Sequence, residues 1–205
     1  MIEATCPAPR RVTLLILAGG SSTRMGVDKA GLVVEGRPLI ARPHRALCAL
    51  AHDLLVAGPS TWGLPGRAVP DPAPGQGPVA GLVAGLSAAR TPLVLAVACD
   101  MPTVEPALAR LLLTRADARP RVDGVVPLHD GRLEPWLAVY RRRAWGPLAA
   151  ALAAGVRAAH EALGGCTIEV VGEREWRAVD PAGLSFQNCN RPEDVRALAG
   201  SAPLR

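Results

Sequence analysis

Gly19 and Gly20 end an apolar run, and Ser21, Ser22, Thr23, Arg24 and Lys29 follow on the same loop, LAGGSSTRMGVDK. Glycines let backbone N–H groups approach a ligand and form a concavity that binds anions. Three hydroxyls and two cations complete a donor set suited to a phosphate-rich guest. The loop is not a P-loop, because Val27 and Asp28 separate Gly26 from Lys29, and G-x-G-x-x-G is absent. The second chemical signal is Asp100, which follows the apolar run Thr91 to Ala98 in Cys99-Asp100-Met101-Pro102. A carboxylate at the carboxyl end of a buried parallel strand stands in the crevice where open α/β sheets bind ligands. Its hard oxygens suit Mg²⁺, which takes one or two carboxylates together with phosphate oxygens and water. The alternative role is a cap for a helix over Val104 to Thr114, for which Pro102 and Thr103 are the better start signals.

Two further segments carry candidates. Asp71 opens DPAPGQGPVAGL, a loop dense in Pro and Gly, and either faces a ligand or starts the turn before Pro72. Asn188 and Asn190 alternate on an extended segment and so share one side, where paired amides read a polar heterocycle or brace a loop. His129, beside Asp130-Gly131, reads as a solvated turn residue, and Trp62 as a packing residue.

The elements that must position these residues follow from periodicity. Val12 to Ala18, Asp53 to Ala57, Arg67 to Val69, Thr91 to Ala98 and Cys166 to Val171 read as strands. Val122 to Val126 and Trp136 to Tyr140 read as a hairpin around His129 to Arg132. Helical spacing covers Leu39 to Leu50, Val79 to Ala89, Ala144 to Ala154 and Val156 to Leu163, and Pro192 opens a last helix. The alternation implies an α/β fold, a three-layer Rossmann-like domain whose sheet is mostly parallel, with one local antiparallel element. We expect one domain over residues 1–205, with 1–11 as a loose N-terminal extension.

Composition narrows the function classes. Hydrophobic residues are 49% and charged residues 20%, the balance of a globular chain rather than a disordered one. The formal charge of +5 comes from arginines scattered along the chain, and aromatics are only 3%, so no stacking surface for nucleic acid is expected. Small polyanions fit that charge as well. The five cysteines are odd in number and lack C-x-x-C spacing, which argues against disulfides and zinc and for a cytoplasmic setting. The N-terminal apolar run is too short for a signal sequence or a membrane span.

The loop as it stands resembles the L-A-[GA]-G-x-x-x-R-M-G-x-x-K signature of nucleotidyltransferases, and most nearly the molybdenum cofactor guanylyltransferase family. Three further islands are similar: Asp71 with Gly77 to Gly81, the [CP]-D-x-P motif at Asp100, and an N-x-N-x-P-E-[DE] ending at Asn188 to Asp194. The resemblance implies transfer of GMP from GTP to molybdopterin with release of pyrophosphate. It implies that Leu17, Ala18, Gly19, Gly20, Asp71 and Gly77 lie on the nucleotide, and Arg24 and Lys29 on its phosphates. Asp100 would hold Mg²⁺, and Asn188 and Asn190 would face the acceptor. Two positions depart from the family pattern. Val56-Ala57-Gly58 stands where guanylyltransferases have an asparagine, and Leu137 replaces the histidine of P-L-H-A-x-Y. The alternatives are a cytidylyltransferase on the same cofactor, a sugar-phosphate nucleotidylyltransferase, and a nucleotide sensor without turnover. A monomer or weak homo-oligomer is expected.

Overall fold

The computed structural model describes residues 12–19, 29–70, 77–189 and 194. Every residue of the first strand, β1 (Val12–Leu17), is buried, as befits a central strand covered on both faces. A two-residue hairpin, β2 (Val33–Val34) and β3 (Arg37–Pro38), turns at Glu35 and Gly36, both at positive φ. Helix α1 (Ala41–Leu47) leads to β4 (Asp53–Ala57) and β5 (Arg67–Val69). Helix α2 (Pro78–Ala88), strand β6 (Leu93–Ala98) and helix α3 (Pro106–Ala118) follow. Next come β7 (Gly124–His129), β8 (Arg132–Leu133), β9 (Leu137–Arg141), α4 (Trp145–Ala153), α5 (Ala159–Ala162), β10 (Ile168–Val171) and α6 (Glu173–Trp176).

The main sheet runs β10-β7-β9-β6-β1-β4-β5, with β8 added to β7. Strands β5, β4, β1 and β6 are mutually parallel, as are β7 and β10, and β9 runs antiparallel to both β6 and β7. Side chains of β1 alternate between two cores, as pleating requires. Val12, Leu14 and Ile16 pack with Leu47 of α1, Leu108 and Leu112 of α3 and Trp176 of α6. Leu15 and Leu17 pack with Leu82 and Leu86 of α2, Leu148 of α4 and Ala162 of α5. The sheet is thus the middle of three layers, and the expected fold class holds. Helix α2 is buried at every position from Val79 to Leu86. It lies close to the sheet because Gly85 has no side chain; a Cβ there would stand 2.3 Å from a methyl of fully buried Leu15.

The hairpin turn occurs where the sequence placed it, with Asp130 and Gly131 both at positive φ, the requirement of a tight two-residue connection. Its immediate partner is β8, however, and the longer β9 slots between β7 and β6. Helix α3 also begins later than expected. Glu105 is its N-cap residue and Pro106 its first residue, because Thr103 is engaged elsewhere: its hydroxyl donates to Leu184 O at 2.8 Å. No described helix is long and apolar enough to cross a membrane.

Asp123 fastens the entry of β7 to that of β10. Its carboxylate accepts from Thr167 N at 2.9 Å and from Arg143 Nε at 2.7 Å. Burial alone would raise its pKa, but the Thr167 amide and the Arg143 guanidinium outweigh it and hold the carboxyl below the usual value of 3.8. A depressed folded-state pKa means stability that is present above the unfolded value and lost as pH falls through the folded one. Asp123→Ala is therefore expected to cost about 1–3 kcal/mol at neutral pH. In thermal melts the deficit should shrink once the pH drops below the ordinary aspartate range. A deficit of constant size at all pH values would contradict this reading.

Candidate active site

The carboxyl ends of β4, β1 and β6 lie side by side, with β1 in the middle. Ala18 N donates to Ala57 O at 2.9 Å and Cys99 N donates to Leu17 O at 3.0 Å, so the chain is gripped from both sides until it enters the glycine turn. A Cβ on Gly19 would already touch Ala57 O at 3.4 Å. The first residue described beyond the turn is Lys29, which opens a short 3-10 turn through Gly31. Buried Ala30 anchors that turn, its carbonyl accepting from Ile40 N at 3.3 Å, while Leu39 N donates to Leu32 O at 2.7 Å.

Lys29 reaches back across the mouth of the sheet. Its Nζ donates to Asp100 Oδ2 at 3.3 Å, and the two side chains are 19% and 22% exposed, enough to be met by a ligand yet partly withdrawn from water. The two groups that the sequence marked out for phosphates and metal are 71 residues apart in the chain and adjacent in space. Asp100 is held through its backbone: its carbonyl accepts from Cys189 N at 2.8 Å. Burial pushes the Cys189 thiol up to about 11, with Asp194 and Asp100 adding to the shift and Arg42 and Lys29 opposing it. A thiol so protonated is no nucleophile at neutral pH.

Gly77 sits at φ 80°, ψ 179°, a conformation suited to glycine, and delivers Pro78 as the first residue of α2. The amino end of α2 thereby stands beside the carboxyl ends of β4 and β1, where Gly81 lets it approach Ala57. Unpaired N–H groups at such an end favour anions. Asn188 is exposed, directly before Cys189. The segment leading to it is fixed by Asp180, whose carboxylate accepts from Leu184 N at 3.0 Å and Ser185 N at 2.9 Å, and by Glu105 N donating to Ser185 Oγ at 2.9 Å. Of the remaining candidates, Gly20, Arg24, Asp71 and Asn190 lie outside the described residues.

Glu134 is a carboxylate near this rim that no sequence motif marks. It precedes β9, whose neighbouring residue Trp136 accepts from Ala98 N at 2.8 Å, so the Glu134 turn runs alongside the segment that carries Asp100. Burial pushes its carboxyl above the usual glutamate range. The Trp136 amide and His129 oppose that shift and the Asp100 charge adds to it. Nothing local in the sequence marks Glu134, because only the antiparallel insertion of β9 brings it there.

Among the described residues no three His, Cys, Asp or Glu side chains are grouped to hold a metal ion by themselves. Among the described residues, Asp100 offers a hard carboxylate at the carboxyl rim. That chemistry fits a cation bound chiefly through substrate phosphates and water rather than one caged by protein.

A mostly parallel sheet with Gly19, Lys29 and Asp100 at its carboxyl rim is the arrangement expected of a nucleotidyltransferase of Rossmann-like fold. Residues 14–166 match the family model of the MobA-like NTP transferase domain. A probable molybdenum cofactor guanylyltransferase of Chloroflexus aggregans is 36% identical, over 94% of this chain and 95% of the relative. One of Deinococcus radiodurans is 35% identical, over 92% and 94%. The chain belongs to the molybdenum cofactor guanylyltransferase family. In fold it is similar to molybdopterin-guanine dinucleotide biosynthesis protein A of Archaeoglobus fulgidus, with a TM-score of 0.76 at 23% identity, covering 91% of this chain and 95% of that one. A 2-C-methyl-D-erythritol 4-phosphate cytidylyltransferase of Thermus thermophilus shares the fold at a TM-score of 0.64 and 23% identity, covering 92% and 97%.

Proposed function

We propose that this protein transfers the guanylyl group of GTP to the terminal phosphate of molybdopterin and releases pyrophosphate. The observation that carries the reading is the Lys29–Asp100 pair at the carboxyl rim, a cation and a metal-competent carboxylate 3.3 Å apart, at the end of the sheet where β1 runs out at Leu17. The names of the relatives supply the guanylyl group and the acceptor. In the reaction a phosphate oxygen of the acceptor attacks the α-phosphorus in line, a new P–O bond forms, and the bond to pyrophosphate breaks. No protein nucleophile is needed, so positioning and charge neutralisation account for the rate.

Leu17, Ala18, Gly19 and Gly20 offer backbone to the nucleotide, Gly77 shapes the adjoining helix end, and Asp71 takes the base or ribose. Arg24 and Lys29 hold the phosphates, and Asn188 and Asn190 face the acceptor. Asp100 is the residue to hold Mg²⁺, which when bound supplies positive charge to the triphosphate. Lys29 then exchanges its contact with Asp100 for the phosphates. Without an asparagine at Val56 to Gly58, selection of the base rests on backbone groups of the glycine turn and on Asp71.

The specificity constants for GTP and CTP, measured with molybdopterin as acceptor, test the base assignment. We expect GTP to be favoured at least about tenfold, ~1.4 kcal/mol in transition-state binding. A higher value for CTP would move the protein to the cytidylyl reading.

A further inference from the structure

The rim of the sheet divides at β6. On one side lie β1, β4 and the amino end of α2, and on the other lie the end of β7, the start of β9 and the segment from Leu184 to Cys189. On the reading proposed above, Gly19 and Gly77 face the nucleotide, which puts it on the first side. The α-phosphorus must then lie near Asp100 at the divide, and the acceptor must come from the second side. Three aromatic rings are gathered there, in a chain with one Phe, one Tyr and four Trp. The His129 imidazole lies flat on Phe186, with ring centroids 4.3 Å apart and planes 11° from parallel. Trp176 abuts both rings, its centroid 4.7 Å from that of Phe186 and 5.7 Å from that of His129. Trp176 is itself locked, donating from Nε1 to Leu128 O at 2.7 Å. His129 is thus a ring fixed in orientation by two others, with 28% of its side chain left open.

Glu134 belongs to the same side. Its backbone N donates to Pro127 O at 2.9 Å, close to His129 in β7, and its carbonyl accepts from Leu137 N at 3.3 Å. The side chain is half-buried, and its hydrogen-bond partner among the described residues is the Trp136 amide, at 3.4 Å to Oε1. A partly desolvated carboxylate with no guanidinium or ammonium paired to it among the described residues is suited to accept a pair of N–H donors from a ligand.

We propose that His129 and Glu134 form the subsite for the acceptor's heterocycle: the imidazole stacks on a planar ring, and the Glu134 carboxylate accepts from an amino-pyrimidinone edge, as a pterin presents. This rests on the reading above that the acceptor is a phosphorylated pterin. It extends that reading to two residues that neither the motifs nor the Asn188 and Asn190 pair include. The fixed ring sets the plane of the acceptor and the carboxylate its rotation, so its phosphate is directed towards Asp100. Both are positioning residues. The Leu137 departure is consistent with this arrangement, because Leu137 is fully buried and makes no approach to a ligand.

The test uses the full chain saturated with GTP and 6-hydroxymethylpterin as probe, its binding followed by pterin fluorescence and, separately, turnover with molybdopterin. Glu134→Gln keeps an oxygen for the Trp136 amide but can no longer accept two N–H donors as a carboxylate does. His129→Ala removes the shelf, and His129→Phe restores a ring. We expect Glu134→Gln and His129→Ala each to weaken pterin binding about tenfold or more, His129→Phe to recover most of it, and GTP affinity to stay within about twofold throughout. In turnover the loss should fall on the KM of the acceptor. Equal pterin binding by all variants, or a parallel loss of GTP affinity, would overturn the subsite. Wild-type protein that fails to bind the pterin would overturn it as well. Pterin binding that depends on both residues in a protein that does not consume GTP would instead leave the subsite standing and remove the guanylyl reading.

Discussion

Asp100→Asn should lose turnover by about 10³-fold, several kcal/mol of transition-state stabilisation, while its circular dichroism and melting temperature remain those of the unsubstituted protein. The substitution changes one oxygen for an amide nitrogen and leaves the shape of the side chain intact. The contact that fixes residue 100 to the Cys189 segment is made by its backbone carbonyl, so the rim survives. What disappears is the negative charge that pairs with Lys29 at 3.3 Å and would hold the metal beside the phosphates. A raised requirement for Mg²⁺ should accompany the loss. Unchanged activity in this variant would remove Asp100 from the metal assignment.

Lys29→Arg should be nearly as damaging, with a loss of about 10²-fold although the charge is kept. Lys29 is the only lysine of the chain, against 22 arginines. Composition therefore favours arginine wherever a plain positive charge suffices, and the exception falls at the carboxyl rim beside Asp100. The side chain is 19% exposed and already lies against Asp100, a contact that a compact ammonium on a flexible stem makes easily. A planar guanidinium is bulkier and requires a forked acceptor. The same scarcity gives an independent readout, because an amine-selective reagent has only Lys29 and the N-terminal amine to modify. Saturating Mg·GTP should protect Lys29. Modification at the same rate with and without nucleotide, together with normal turnover by the arginine variant, would show that Lys29 does not meet the phosphates.

The strands around the rim were legible because each carries its own pattern. Strands β4 and β5 have the bounds their apolar and punctuating residues indicate, and β1 ends within one residue of where Gly19 stops it. Asp100 was legible for the same reason, since a carboxylate directly after a continuous apolar run can only emerge at the edge of the core. What lay hidden depends on partners far along the chain. The place of β9 between β6 and β7 is set by sheet pairing, which leaves no periodic mark, and so Glu134 gave no signal as a neighbour of Asp100. His129 read as a turn residue because its stacking partner, Phe186, is remote in sequence. Thr103 looked like a helix start, but its hydroxyl is committed to Leu184, which shifts the true start to Pro106. Lys29 was singled out by type and loop context, whereas its contact with Asp100 became visible only in three dimensions.

Pyrophosphate release measured for GTP, CTP, ATP and UTP, each with and without molybdopterin, separates transfer of a guanylyl group to a phosphorylated pterin from nucleotide binding without turnover. We expect release with GTP that requires the acceptor, matches it mole for mole in dinucleotide formed, and is lost in Asp100→Asn. Tight GTP binding with no pyrophosphate released under any of these conditions would contradict it and leave a nucleotide-binding module without turnover.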